Sequence, residues 1–125
     1  MNDYSRKLDV KSVYGGDVSR ALIFASEYEA GSHIIRSALA SAEPGKGGKE
    51  HYHPDTSEIY LLIDGQAVVE IDGHSIVLNP MGCIQIPKNT KHRIRAVGDK
   101  PIKYLALHVA ELTFNGAVVH REVKE

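Results

Sequence analysis

The chain has 125 residues, 42% apolar and 25% charged, enough for one soluble domain (1–125) with its own core. Fifteen basic against sixteen acidic residues leave a net charge of -1, which gives no reason to expect a nucleic-acid or membrane partner. No apolar run approaches the ~20 residues of a membrane helix, the opening MNDYSRKLDVK lacks a signal-peptide core, and the lone Cys83 has no disulfide partner, so a cytoplasmic protein is expected.

Residues 1–10 are polar and expected to fray, as are 115–125. From there, turn signals recur at short intervals: Gly15-Gly16, Gly31-Ser32, Pro44-Gly45, Pro54-Asp55, Asp64-Gly65, Asp72-Gly73, Asn79-Pro80, Lys88-Asn89 and Gly98-Asp99. Between them lie short runs rich in Val, Ile, Leu and Tyr, at 20–26, 33–41, 58–63, 67–71, 74–78, 83–87, 92–97 and 102–109. About ten short strands at this spacing predict an all-β sandwich or barrel, with a core over about 20–112. Asp72-Gly73 is a strong hairpin signal because Gly accepts the positive φ of a tight turn. The SALASA stretch at 37–42 has helix-forming composition and is read as strand from its neighbours.

The chemistry concentrates in EHYHPDTSE, residues 50–58. Strand alternation puts His51 and His53 on one face, roughly 6.5–7 Å apart along the chain, so both imidazoles can reach one ion. A new strand begins near Glu58, whose face is shared by Tyr60 and Leu62. Two imidazoles and a carboxylate make a mixed nitrogen and oxygen site suited to Fe, Mn, Ni, Cu or Zn.

The wider spacing is more specific. Gly45, His51, His53, Glu58 and Gly65 give G-x5-H-x-H-x4-E-x6-G, which resembles the first motif of the cupin superfamily. The second motif, G-x5-P-x-G-x2-H-x3-N, is matched at Pro87 and His92. Met81, Asn89 and Ala96 replace its two glycines and its asparagine. Gly82 sits one residue late, consistent with a shifted turn, and Asn89 tolerates a left-handed backbone.

The resemblance implies a single antiparallel β-barrel of the jelly-roll (double-stranded β-helix) type. It also implies one divalent metal held by His51, His53, Glu58 and His92, and a homodimer. The apolar segment 12–26 is the expected pairing edge.

Other residues are candidates by position. Tyr60 can line the pocket as a catalytic hydrogen-bond or proton donor. Gln85 would bind substrate if its face is the interior. Arg36 can clamp a carboxylate, or snorkel from an edge. His108 faces inward by parity with Tyr104, as a packed residue, a substrate contact or a fifth ligand. Cys83 is expected to be buried, and His33, His74 and His120 solvated. The loop Lys46–Glu50 is read as a charged rim.

Two functions fit. One is a metal-dependent enzyme on a sugar or small organic acid, such as a dioxygenase, an isomerase or epimerase, or a lyase or cyclase. The other is a sensor or carrier module that only binds. In oxalate decarboxylases an arginine usually stands three residues before the first motif histidine; Gly48 stands there, which disfavours oxalate.

Overall fold

The computed structural model describes residues 10–12, 18–24, 34–110 and 123–124. They contain nine strands: β1 (Val10–Ser12), β2 (Ser19–Phe24), β3 (Ile34–Ala42), β4 (Thr56–Asp64), β5 (Gln66–Ile71), β6 (His74–Leu78), β7 (Cys83–Ile86), β8 (His92–Val97) and β9 (Ile102–Ala110). His33, His120 and most of the two chain ends lie outside the described residues.

The strands form two antiparallel sheets, one of six in the order β1-β2-β3-β9-β4-β7 and one of three in the order β6-β5-β8. No ladder joins them into a closed barrel among the described residues. The architecture is the all-β jelly roll expected from the motifs. The turn after β6 explains part of the opening. Its Met81 amide donates to the Leu62 carbonyl and its Gly82 carbonyl accepts from the Leu62 amide, so it pairs with β4.

Alternation along the strands fills the space between the sheets. In β9, Ile102, Tyr104, Ala106, His108 and Ala110 are buried while Lys103 is exposed. In β4 the buried set is Thr56, Glu58, Tyr60 and Leu62. The SALASA stretch is strand β3: its Ala38, Ala40 and Ala42 are buried opposite Ala106, Tyr104 and Ile102, where small side chains let β3 sit close. Tertiary packing overrides the helix preference of alanine here.

The β5–β6 hairpin turns at Asp72 and Gly73, with φ of 47° and 79°, the left-handed pair such a turn needs. Two predicted glycine positions of the second motif adopt the left-handed backbone without glycine. Met81 has φ 68° and Asn89 φ 60°. The turn is therefore unshifted: Gly82 has a separate role, because a Cβ there would stand 2.8 Å from the Asn79 carbonyl oxygen.

The loop at 45–50 is more than a charged rim. It runs along β8, with the Gly48 amide donating to the Ile94 carbonyl and the Lys46 carbonyl accepting from the Ala96 amide. At Gly47 a Cβ would meet the Ile94 carbonyl oxygen at 2.3 Å, so only glycine lets the loop lie this close. Of the expected pairing segment, 13–17 and 25–26 lie outside the described residues. Strand β2 pairs on both sides within the chain, which leaves β1 at that end of the sheet.

Candidate metal centre

His51 is set by continuation of the loop along β8. Its amide donates to the His92 carbonyl at 3.0 Å, and the His92 amide donates back at 2.9 Å. His53 is fixed by its carbonyl, which accepts from the Asn89 amide, and its side chain is buried. Glu58 comes from β4 of the large sheet and His92 from the first position of β8 in the small one. One potential ligand atom from each of these four residues lies within 4.8 Å of the others. The ring centroids of His51 and His53 are 4.9 Å apart, and those of His51 and His92 4.4 Å.

The imidazoles are oriented by the backbone. His51 Nδ1 lies 2.8 Å from the Lys49 carbonyl oxygen, and His92 Nδ1 lies 2.8 Å from that of Thr90. A carbonyl only accepts, so each Nδ1 carries the proton. That leaves Nε2 as the atom available to the cluster, the arrangement that orients histidine ligands in metal sites. Three nitrogen donors and one carboxylate, three of the four residues buried, match the donor chemistry of a transition-metal site.

Inside the cluster, His92 Nε2 lies 2.7 Å and His53 Nε2 3.6 Å from Glu58 Oε1. Burial alone would push the Glu58 carboxyl up. The charge and hydrogen bond of His108, with the bonds of His53 and His92, win and hold it well below the usual range. Burial pulls His92 down, but its hydrogen bond and attraction to Glu58 lift it above the ordinary histidine value. His51 is lowered to about 4, first by burial and also by the neighbouring His92.

The other candidates separate. Tyr60 is buried on the Glu58 face, its ring centroid 6.1 Å from that of His92. His108 faces inward and is buried, opposite Glu58 across the β4–β9 ladder, with Nε2 2.8 Å from Glu58 Oε2. Arg36 is half-buried directly opposite His108. Cross-strand partners share a face, so Arg36 stands in the same inner row as His108 and Glu58. Its strand β3 lies between β2 and β9, with the described β2 pairing ending at Ser37, one residue from Arg36.

Gln85 and Cys83 are corrections. Both are exposed on the outer face of β7, and Ile86 is buried with Ile84 packed beside the core. The alternating Ile84 and Ile86 were the signal for which face turns inward. His74 is exposed, as expected. Sequence reading missed Thr56, buried on the Glu58 face, whose hydroxyl has no hydrogen-bond partner among the described residues.

A family model described as the cupin domain matches residues 38–108. The chain is 31% identical over 120 residues to polyketide synthase CurC of Streptomyces cyaneus, covering 92% of this chain and 75% of that protein. It is 32% identical over 93 residues to oxalate decarboxylase OxdC of Bacillus subtilis, covering 67% of this chain but 24% of that protein. A solved structure described as a predicted oxalate decarboxylase from Thermotoga maritima superposes with a TM-score of 0.73. It has 20% identity and covers 83% of this chain and 92% of that one. That likeness is one of fold.

Proposed function

The chain belongs to the cupin family, and on that premise we propose that it is a metal-dependent enzyme acting on a small molecule. The observation that carries the reading is the group of three imidazoles and one carboxylate, three of the four residues buried, with Nδ1 of His51 and His92 tied to backbone carbonyls. His51, His53, Glu58 and His92 would hold one divalent ion, with Fe, Mn, Ni, Zn and Cu all suited to the donor set. Such an ion supplies Lewis acidity and leaves positions open to water or substrate.

The residues themselves narrow the substrate. Neutral imidazoles add no charge and Glu58 adds one negative charge, so a divalent centre keeps a net positive charge. That favours a substrate presenting anionic or enolisable oxygens. Arg36, in the same inner row, is proposed to take a carboxylate or similar anion at its edge. Thr56 and Tyr60 flank Glu58 on its strand face and are proposed as hydroxyl donors toward the bound molecule. The enzyme relatives support turnover: OxdC acts on oxalate, a small diacid. Gly48, at the position where oxalate decarboxylases usually carry arginine, argues for a different acid, keto acid or sugar here.

Elemental analysis of protein purified without added metal is the first test, with about one equivalent expected. Metal-loaded protein is then screened for oxygen uptake and for turnover of keto acids, hydroxy acids and sugars. Failure to hold an ion after reconstitution sinks the metal reading. Tight metal and ligand binding without turnover leaves a binding module in its place. A homodimer belongs to the same proposal, and a monomer mass by light scattering at micromolar concentration removes it.

A further inference from the structure

We infer that His108 is a positioning residue that holds the far oxygen of Glu58, so that the carboxylate offers a single oxygen to the ion. The inference rests on the metal reading of the cluster. The two oxygens of Glu58 have different surroundings. Oε1 faces the cluster, 2.7 Å from His92 Nε2 and 3.6 Å from His53 Nε2. Oε2 lies 2.8 Å from His108 Nε2, and the His108 ring centroid is 4.7 Å from that of His53.

The contact is built into the sheet. Glu58 and His108 are directly opposite each other in the β4–β9 ladder, and both side chains are 4% exposed. A carboxylate oxygen only accepts, so the His108 Nε2 atom carries a proton and donates it. In this arrangement that nitrogen is engaged by Glu58 Oε2. His108 therefore fixes the rotation of the Glu58 carboxylate and leaves the donor set at three nitrogens and one oxygen. A buried carboxylate without this donor would turn within the cluster and offer both oxygens. The histidine thus acts on the ion through Glu58.

Zinc binding by the full chain tests this with two variants and one spectrum. His108→Leu removes the donor and is expected to weaken Zn(II) binding roughly 10–100-fold, the usual cost of losing a residue that supports a ligand. His108→Gln places an amide N–H near the same point and is expected to recover most of the affinity. In zinc-loaded wild-type protein, the ¹⁵N signal of His108 Nε2 should stay that of a protonated nitrogen. This last measurement needs no variant and decides the matter if the leucine form does not fold. A leucine variant that binds zinc like wild type overturns the inference. So does a glutamine variant as weak as leucine, or a metal-bound ¹⁵N signal at His108. Wild-type protein that takes up no zinc removes this inference and the metal reading together. Zinc-binding wild type beside an indifferent leucine variant removes this inference alone.

Discussion

The same three strands are polar at one end of the interior and apolar at the other. β4 carries Glu58 and then Leu62, β8 carries His92 and then Ala96, and β9 carries Tyr104 and then His108. All six side chains are buried. Strand alternation decides only which residues point inward. Position along the strand decides whether the interior is a core or a site. At the apolar end burial stabilises the fold directly. At the polar end each charged or hydrogen-bonding group needs a partner to offset its lost hydration. The two ends should therefore respond differently to substitution.

The largest effect is expected at the apolar end. Leu62 is fully buried, and Leu62→Ala should cost about 2–5 kcal/mol of unfolding free energy, the range for a leucine cavity. Denaturant titration measures it, and a loss under about 1 kcal/mol would break the contrast. Next is His53→Ala at the polar end. Metal affinity should fall by more than the roughly 10–100-fold of a supporting residue. The metal-free unfolding midpoint should move less than in Leu62→Ala.

A pH series sharpens the comparison. In metal-free protein His51 has a folded value of about 4, below its ordinary 6.5. Its contribution to stability is full above 6.5 and is lost as pH falls through 4. Glu58, also lowered, contributes above its ordinary 4.5 and loses that as pH falls through its lower folded value. His92 is raised, so its contribution holds below 6.5 and is lost as pH rises through its folded value. Stability of the metal-free form should thus decline on the acid side, and His51→Gln should flatten the decline between pH 6.5 and 4. Leu62→Ala should lower the whole curve without changing its shape.

The smallest effect lies outside both ends. Met81 is 71% exposed with φ 68°. Glycine there removes a left-handed strain of about 1–2 kcal/mol at some entropic cost, so Met81→Gly should stabilise by about 0.5–1 kcal/mol. Thermal unfolding of the metal-free form checks it.

Much of this was legible in the chain. Turn residues marked nearly every strand, and the spacing of His51, His53 and Glu58 pointed to the cluster, although His51 and His53 lie in the segment before β4 and not on a strand as expected. Pro87 and His92 placed the fourth member through the second motif. What the sequence left open were matters of facing and of distant pairing. A four-residue strand such as β7 gives alternation too few positions to settle, so Gln85 and Cys83 were placed on the wrong side. The role of His108 needed the knowledge that β9 lies against β4, and no local pattern carries that. Met81 hid a glycine conformation behind a side chain that rarely adopts it.

The division into two sheets bears on how fast the molecule comes apart. Glu58 belongs to the six-stranded sheet and His92 to the three-stranded one, and among the described residues no backbone ladder joins the two. An ion held by both would act as a rivet across the seam. Opening that seam would then require breaking coordination bonds before any strand could peel away. The holo form should therefore lose its fold with a much longer half-life than the apo form, even where their equilibrium stabilities lie close. Amide exchange along β4 and β8 should slow together when metal is added.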